Sequence, residues 1–251
     1  MEAYEFEIMK ESQDKHWWWR GRGELIRRLI ESHIRPSRAL PIADVGCGFG
    51  SNISLLNRFG NVTALETNSE AIRHVQHVWE GSVRCLAWEF PERIHQRFDL
   101  ILLADVLEHI HDDALMIDWV HEHLNDGGHA LVTVPAHRYL WTQMDDVVHH
   151  YRRYSKQDLL PLFEKKFEVV KFSYYNMFLF PVKLAFVLFD RLNRAFWPGT
   201  AKRSYTEMPP ALINALFKHV MSLEAKMIER AALPFGVSII LVVRKKQCAR
   251  L

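Results

Sequence analysis

Cysteine is nearly missing: Cys47, Cys85 and Cys248 are the whole complement of a 251-residue chain. Three thiols, odd in number and without metal-ligand spacing, argue against a disulfide framework, and a reducing cytoplasm is the compartment that fits. The first ten residues are acidic and polar, so no secretory leader is expected. Long uninterrupted apolar runs are also lacking. The most apolar stretch, residues 172–197, is broken by Pro181 and carries Lys183 and Asp190, which argues against a membrane span. The histidines fall in close pairs (His74/His77, His109/His111, His121/His123) without the thiolate or carboxylate company of a structural zinc site. No metal is expected. Nor is nucleic acid, because no recognition module or aromatic–basic sheet motif accompanies the basic residues.

What is present suits a globular protein with a core to bury: 49% hydrophobic and 25% charged residues, in a length that allows one large domain or a domain with an insertion. The small net charge of +2 hides a split. Residues 1–150 hold 14 Lys/Arg against 23 Asp/Glu, a balance of −9, whereas residues 151–251 hold 18 against 7, a balance of +11. Either the C-terminal part meets an anionic partner, a membrane surface or a phosphorylated substrate, or the two halves attract each other within the fold.

The stretch Ala39–Gly50, ALPIADVGCGFG, reads as a buried strand entering a glycine-rich turn. Leu40, Ile42, Ala43 and Val45 supply the strand, with Asp44 the one charge inside it. Gly46, Gly48 and Gly50 let the backbone turn tightly and approach a ligand at the start of a helix. Sixteen residues after Gly50, Glu66 ends the next apolar run, where an acid can accept hydrogen bonds from a ribose. The spacing is G-x-G-x-G, not the G-x-G-x-x-G that a nicotinamide-dependent dehydrogenase normally carries. Strands are predicted near 40–45, 61–66, 82–87, 98–104, 129–134 and 167–175, with a last one over 233–243. Helices are predicted near 51–59, 69–79, 112–125, after Ser155, from Val182 and over Ala211–Arg230. Such alternation predicts a doubly wound α/β sheet that binds its ligand beyond the carboxyl ends of the strands.

Asp44-Val45-Gly46-Cys47-Gly48-Phe49-Gly50, Glu66, Phe98–Leu102, Asp105-Val106-Leu107-Glu108-His109-Ile110 and Leu124-Asn125-Asp126-Gly127-Gly128 follow one another in order. Together they resemble the class I S-adenosylmethionine-dependent methyltransferases of the small-molecule branch, strongly over residues 40–135. The resemblance implies a Rossmann-like seven-stranded sheet, mostly parallel with the last strand antiparallel, and a helical insertion between strands six and seven. It also implies S-adenosyl-L-methionine as cofactor. Asp44, Gly46, Cys47, Gly48 and Gly50 would meet the methionine part, Glu66 and Thr67 the ribose, and Asp105, Val106 and His109 the far side. Many relatives carry an acid after the third strand for the adenine. Here Leu86 takes that place, so backbone groups, Glu89 or stacking on Trp88 must serve.

Four segments follow from this plan: an N-terminal helical segment covering the site (1–38), the methyltransferase core (39–175), a helical insertion or lid (176–232), and the final strand with its tail (233–251). Trp17, Trp18 and Trp19 cannot all face inward on one helix. They either anchor the segment or serve the site or a lipid headgroup layer, and Trp18 is the candidate for the acceptor. The run from Asp145 to Tyr154 is similar to a segment lying over the acceptor side in many bacterial methyltransferases. His149 and His150 are its candidate proton acceptors. Arg152, Arg153 and Tyr154 are its candidate acceptor contacts, unless the arginines pair with Asp145 and Asp146 to pin the loop. From Val182 a helix places Val182, Ala185, Phe186, Phe189 and Leu192 on one face and Lys183, Asp190, Arg191 and Arg194 on the other. That is a bilayer-interface helix, a lid or a core helix. The expectation is methyl transfer, oxygen favoured, to a small-molecule or lipid-linked acceptor, with peripheral membrane contact through 177–197. The competing reading is a non-catalytic scaffold on the same fold.

Overall fold

The computed structural model describes residues 8, 10–196 and 208–246. Cys248, Trp197-Pro198-Gly199, the linker after them and the end of the tail lie outside those residues. Seven strands form one sheet in the order β3-β2-β1-β4-β5-β7-β6. They are β1 (Leu40–Val45), β2 (Gly60–Glu66), β3 (Arg84–Ala87), β4 (Phe98–Ala104), β5 (Leu124–Pro135), β6 (Phe167–Tyr175) and β7 (Ser238–Lys245). The first five pair in parallel, and β7 runs antiparallel to both β5 and β6. The chain winds outward from β1 to β3, then returns to place β4 on the other flank of β1. That reversal opens a crevice at the carboxyl ends of β1 and β4.

Alternation on β4 shows why both faces are covered. Ile101 and Leu103 face one core layer with Met116, Ile117 and Val120 of α4 (Asp113–His123) and Leu159 and Phe163 of α6 (Lys156–Glu164). Leu100 and Leu102 face the other, with Leu25, Ile26 and Leu29 of α1 (Trp17–Leu29) and Met221 and Ile228 of α8 (Ala211–Arg230). Caps fix the helix starts: Asn68 takes the Glu70 and Ala71 amides at α3 (Ser69–Val78), and Ser155 and Asp158 form a capping box at α6. The helix predicted over 51–59 shrinks to α2 (Ile53–Leu56). The chain must turn there into β2, where a Cβ on Gly60 would lie 1.9 Å from the Leu40 carbonyl oxygen. Gly127 and Gly128 lie within β5, in a bulge where the register against β4 slips between Phe98 and Leu100.

The insertion between β6 and β7 holds α7 (Phe180–Phe196) and α8, and α7 turns most of its apolar stripe outward, which is not the seating of a core helix. Asp190 is 2% exposed, whereas Leu188, Phe189 and Leu192 are 54%, 62% and 58% exposed. The polar side docks on α5 (Gln143–Val147) and the turn before it. The Asp190 carboxylate accepts the Gln143 amide at 3.3 Å, Arg191 donates to the Tyr139 carbonyl at 2.7 Å, and Arg194 bridges Asp146 at 3.2 Å. A polar underlying surface selects the charged stripe of the helix, so the apolar stripe faces out. Among the described residues no helix is long and apolar enough to cross a membrane.

Candidate functional site

A cavity of about 1180 Å³ occupies the crevice. Single small-ligand pockets run to roughly 300–1,000 Å³, so this one has room for two partners side by side. One wall is the turn after β1, where Gly46 and Gly48 hold φ of 64° and 54°. A Cβ on Gly46 would meet Val106 Cγ2 at 2.9 Å. Gly46, Cys47 and Gly48 line the cavity, but Gly50 does not: it packs beneath Trp79 and Ile53. Asp44 also lies beneath the lining, fully buried, and burial pushes its carboxyl up to about 7 against the pull of Arg22 and Asn52. Both residues support the turn from below.

Glu66 lines the cavity and closes the turn onto β2. Its Oε2 accepts the Gly48 amide at 2.8 Å, and Oε1 accepts the amides of Thr67 and Asn68 at 2.8 and 2.9 Å. Thr67 lines the same wall. Trp88 does too, but its indole N–H is committed to the Glu92 carbonyl at 2.7 Å and its ring leans on Trp119, which leaves it an apolar surface. Glu89 and Phe90 stand beside it.

Opposite, Asp105, Val106 and His109 follow β4. Asp105 sits at a φ of 58°, takes the Thr133 hydroxyl at 2.8 Å and is ion-paired by Arg22 from α1. The expected sites omitted Arg22. Its position three and four residues before Leu25 and Ile26 puts a guanidinium on the apolar stripe of α1, and that was the available signal. The N-terminal segment roofs the cavity: Gln13 donates to the Phe49 carbonyl at 3.0 Å, and Trp18 stacks on Tyr175. Trp17, Trp18 and Trp19 all line the cavity, and Trp17 also packs on Phe217 of α8.

The acceptor side differs from expectation in part. His150 faces the cavity with Nδ1 at 2.9 Å from Asp145 Oδ1. His149 is not among the lining residues and holds a left-handed φ of 59°. Arg152 is turned away, bound to Asp113 and the His111 carbonyl at 2.6 Å each. Tyr154 is buried in the core with its hydroxyl on Asp113. Arg153 reaches the lining but clamps Asp145 at 2.7 and 3.1 Å. The arginines therefore pin the loop, Arg153 through Asp145 as foreseen and Arg152 through Asp113. Burial alone would raise the Asp145 carboxyl; His150 and Arg153 hold it well below the usual range. A cation on the cavity wall that the expected sites omitted is Lys183 of α7. Burial lowers its ammonium to about 8, and the amine lies 5.5 Å from the centre of the Phe186 ring. Burial likewise lowers His109 to about 4 and raises Glu108 well above the ordinary carboxyl value.

A family model described as a methyltransferase domain matches residues 18–170. Cobalt-precorrin-6B C(15)-methyltransferase (decarboxylating) of Salmonella typhi is 30% identical over 133 residues, 50% of this chain and 68% of that protein. Among solved structures, the N-methyltransferase NodS from Bradyrhizobium japonicum WM9, in complex with S-adenosyl-L-homocysteine, is similar at a TM-score of 0.54 and 13% identity. The match covers 89% of this chain and 86% of NodS. The [4+2]-cyclase SpnF is similar at a TM-score of 0.57 and 13% identity, over 90% and 81% of the two chains. At these identities the likeness is one of fold, and the names attached to it cover different chemistries.

Proposed function

The chain belongs to the methyltransferase-domain family as a class I S-adenosylmethionine-dependent methyltransferase, and from that premise we propose that it methylates an oxygen of an apolar, anionic acceptor. The cofactor supplies the electrophilic methyl carbon. The residues present suit it. The side-chain-free turn at Gly46 and Gly48 leaves backbone open towards the methionine part. Glu66 Oε2 accepts the Gly48 amide, and its second lone pair suits a ribose hydroxyl. Trp88 offers the adenine a face rather than a donor.

The observation that carries the choice of oxygen is the Asp145–His150 pair on the same cavity. With Nδ1 held by the carboxylate, Nε2 is the nitrogen left to take a hydroxyl proton as the methyl group transfers. Lys183 and Phe186 favour an acceptor that is anionic at one end and apolar at the other. The outward apolar stripe of α7 supports a lipid-linked form of that acceptor, met at a bilayer surface.

Calorimetry with S-adenosylhomocysteine tests the premise. The protein should bind it, and His150→Asn should bind it within twofold of wild type. Methyl transfer to lipid extracts and to soluble hydroxylated anions then tests the acceptor. His150→Asn should lower kcat by about 10²-fold. An unchanged kcat removes His150 as base, and turnover confined to water-soluble acceptors removes the lipid link.

A further inference from the structure

Glu108 is the middle residue of the short turn Leu107–His109 after β4, and both its carboxyl oxygens are buried with no hydrogen-bond partner among the described residues. A buried carboxyl left so keeps its proton, and even then its unpaired oxygens are costly unless a donor or a cation completes them. Two imidazoles face it. His150 Nε2 lies 3.8 Å from Glu108 Oε1, and one ligand atom each from Glu108, His109 and His150 fall within 4.8 Å of one another.

We propose that Glu108, His109 and His150 bind a divalent first-row transition-metal ion on the acceptor side of the cavity. Bonds of about 2.0–2.2 Å from nitrogen and oxygen to such an ion put its ligands roughly 3.0–3.4 Å apart, so the Glu108–His150 pair closes by less than about 1 Å and no pair by more than about 2 Å. That is within the reach of side-chain rotation. Outer partners are already in place. Asp145 holds His150 Nδ1, which presents Nε2 as the lone-pair nitrogen, and Asp145 is itself fixed by Arg153 and by the Thr142 amide at 2.9 Å. His109 makes a hydrogen bond to the His149 main chain. Two imidazoles with one carboxylate suit zinc, iron, cobalt or nickel better than magnesium or calcium. Three protein ligands leave positions open to the cavity, where an acceptor oxygen can bind the ion. In sequence His109 and His111 have no such company. The fold supplies it by bringing the turn after β4 against the loop before Tyr154.

The use of the ion rests on the methyl-transfer reading above, whereas its binding does not. In the loaded protein His150 is a ligand, and lowering the acceptor's pKa falls to the ion. The proton-accepting role given to His150 then belongs to the metal-free protein. Chelator-treated protein should take up one Zn²⁺ per chain by calorimetry, and one Co²⁺ by visible absorption without a thiolate charge-transfer band. Glu108→Gln and His109→Ala should each weaken binding at least tenfold, and Asp145→Asn by about 10–100-fold. His111→Ala should bind as wild type. S-adenosylhomocysteine titrated into the same samples reports the cofactor half separately. Failure of wild type to bind either ion, or wild-type binding by His109→Ala, overturns the metal site whatever that titration gives. Loss of S-adenosylhomocysteine binding by metal-competent protein overturns the cofactor reading instead.

Discussion

Replacing Arg22 by Met tests the electrostatics beneath the cavity. The Arg22 side chain is 5% exposed and that of its partner Asp105 is 21% exposed. Removing one member of a buried pair typically costs about 3–5 kcal/mol, and the partial exposure of Asp105 puts this case near about 3 kcal/mol. For a chain of this size that lowers the melting temperature by roughly 6–12 °C. The loss should also depend on pH, because Arg22 faces Asp44 as well as Asp105 and pulls the Asp44 carboxyl down. Without the guanidinium, the Asp44 carboxyl, already raised by burial to about 7, holds its proton to a still higher pH in the folded chain, against an ordinary unfolded value of about 4. Its folded-state pKa rises from about 7, so the deficit is level while Asp44 is protonated in both proteins and widens as pH climbs through 7. Urea unfolding followed by circular dichroism at pH 5 and pH 8 measures both quantities. Adding Asp105→Asn should recover part of the loss by removing the orphaned charge. A deficit below about 1 kcal/mol, or one equal at the two pH values, refutes the reasoning.

Gly46→Ala places a Cβ against Val106 at a φ of 64°, so it should destabilise the fold by about 1–2 kcal/mol and weaken S-adenosylhomocysteine binding, read by melting and calorimetry. Glu66→Ala removes the acceptor shared by the Gly48, Thr67 and Asn68 amides. Binding should fall at least tenfold, and the amides should exchange faster by NMR. Lys183 titrates at about 8, so its acylation should rise through pH 8 and level off before that of surface lysines, as mapped by mass spectrometry. Phe189→Ser and Leu192→Ser should each change stability by less than about 0.5 kcal/mol, because these side chains already face water.

The strands and the glycine turn on one side of the cavity were legible because their signals are local. Apolar runs fix β1, β2 and β4, and glycine marks the one turn where a side chain would strike Val106. The acceptor half depends on which distant groups meet, and periodicity is blind to that. Arg152 and Tyr154 look like ligand contacts until α4 is seen to bring Asp113 to both. Glu108 looks like a turn cap until folding sets it against His150, 42 residues further on. The stripes of α7 were legible, but which of them faces out was left open, since amphipathicity gives two faces without saying which neighbour is polar.

Because α7 is seated by charges and carbonyls more than by grease, its grip responds to solvent conditions that leave the sheet untouched. Added salt screens the Arg194–Asp146 contact, while burial of Leu100 and Leu102 against α1 and α8 is not weakened by it. The same helix carries Lys183 to the cavity wall. Ionic strength is thus a dial on that wall of the cavity, separable from the strength of the scaffold behind it.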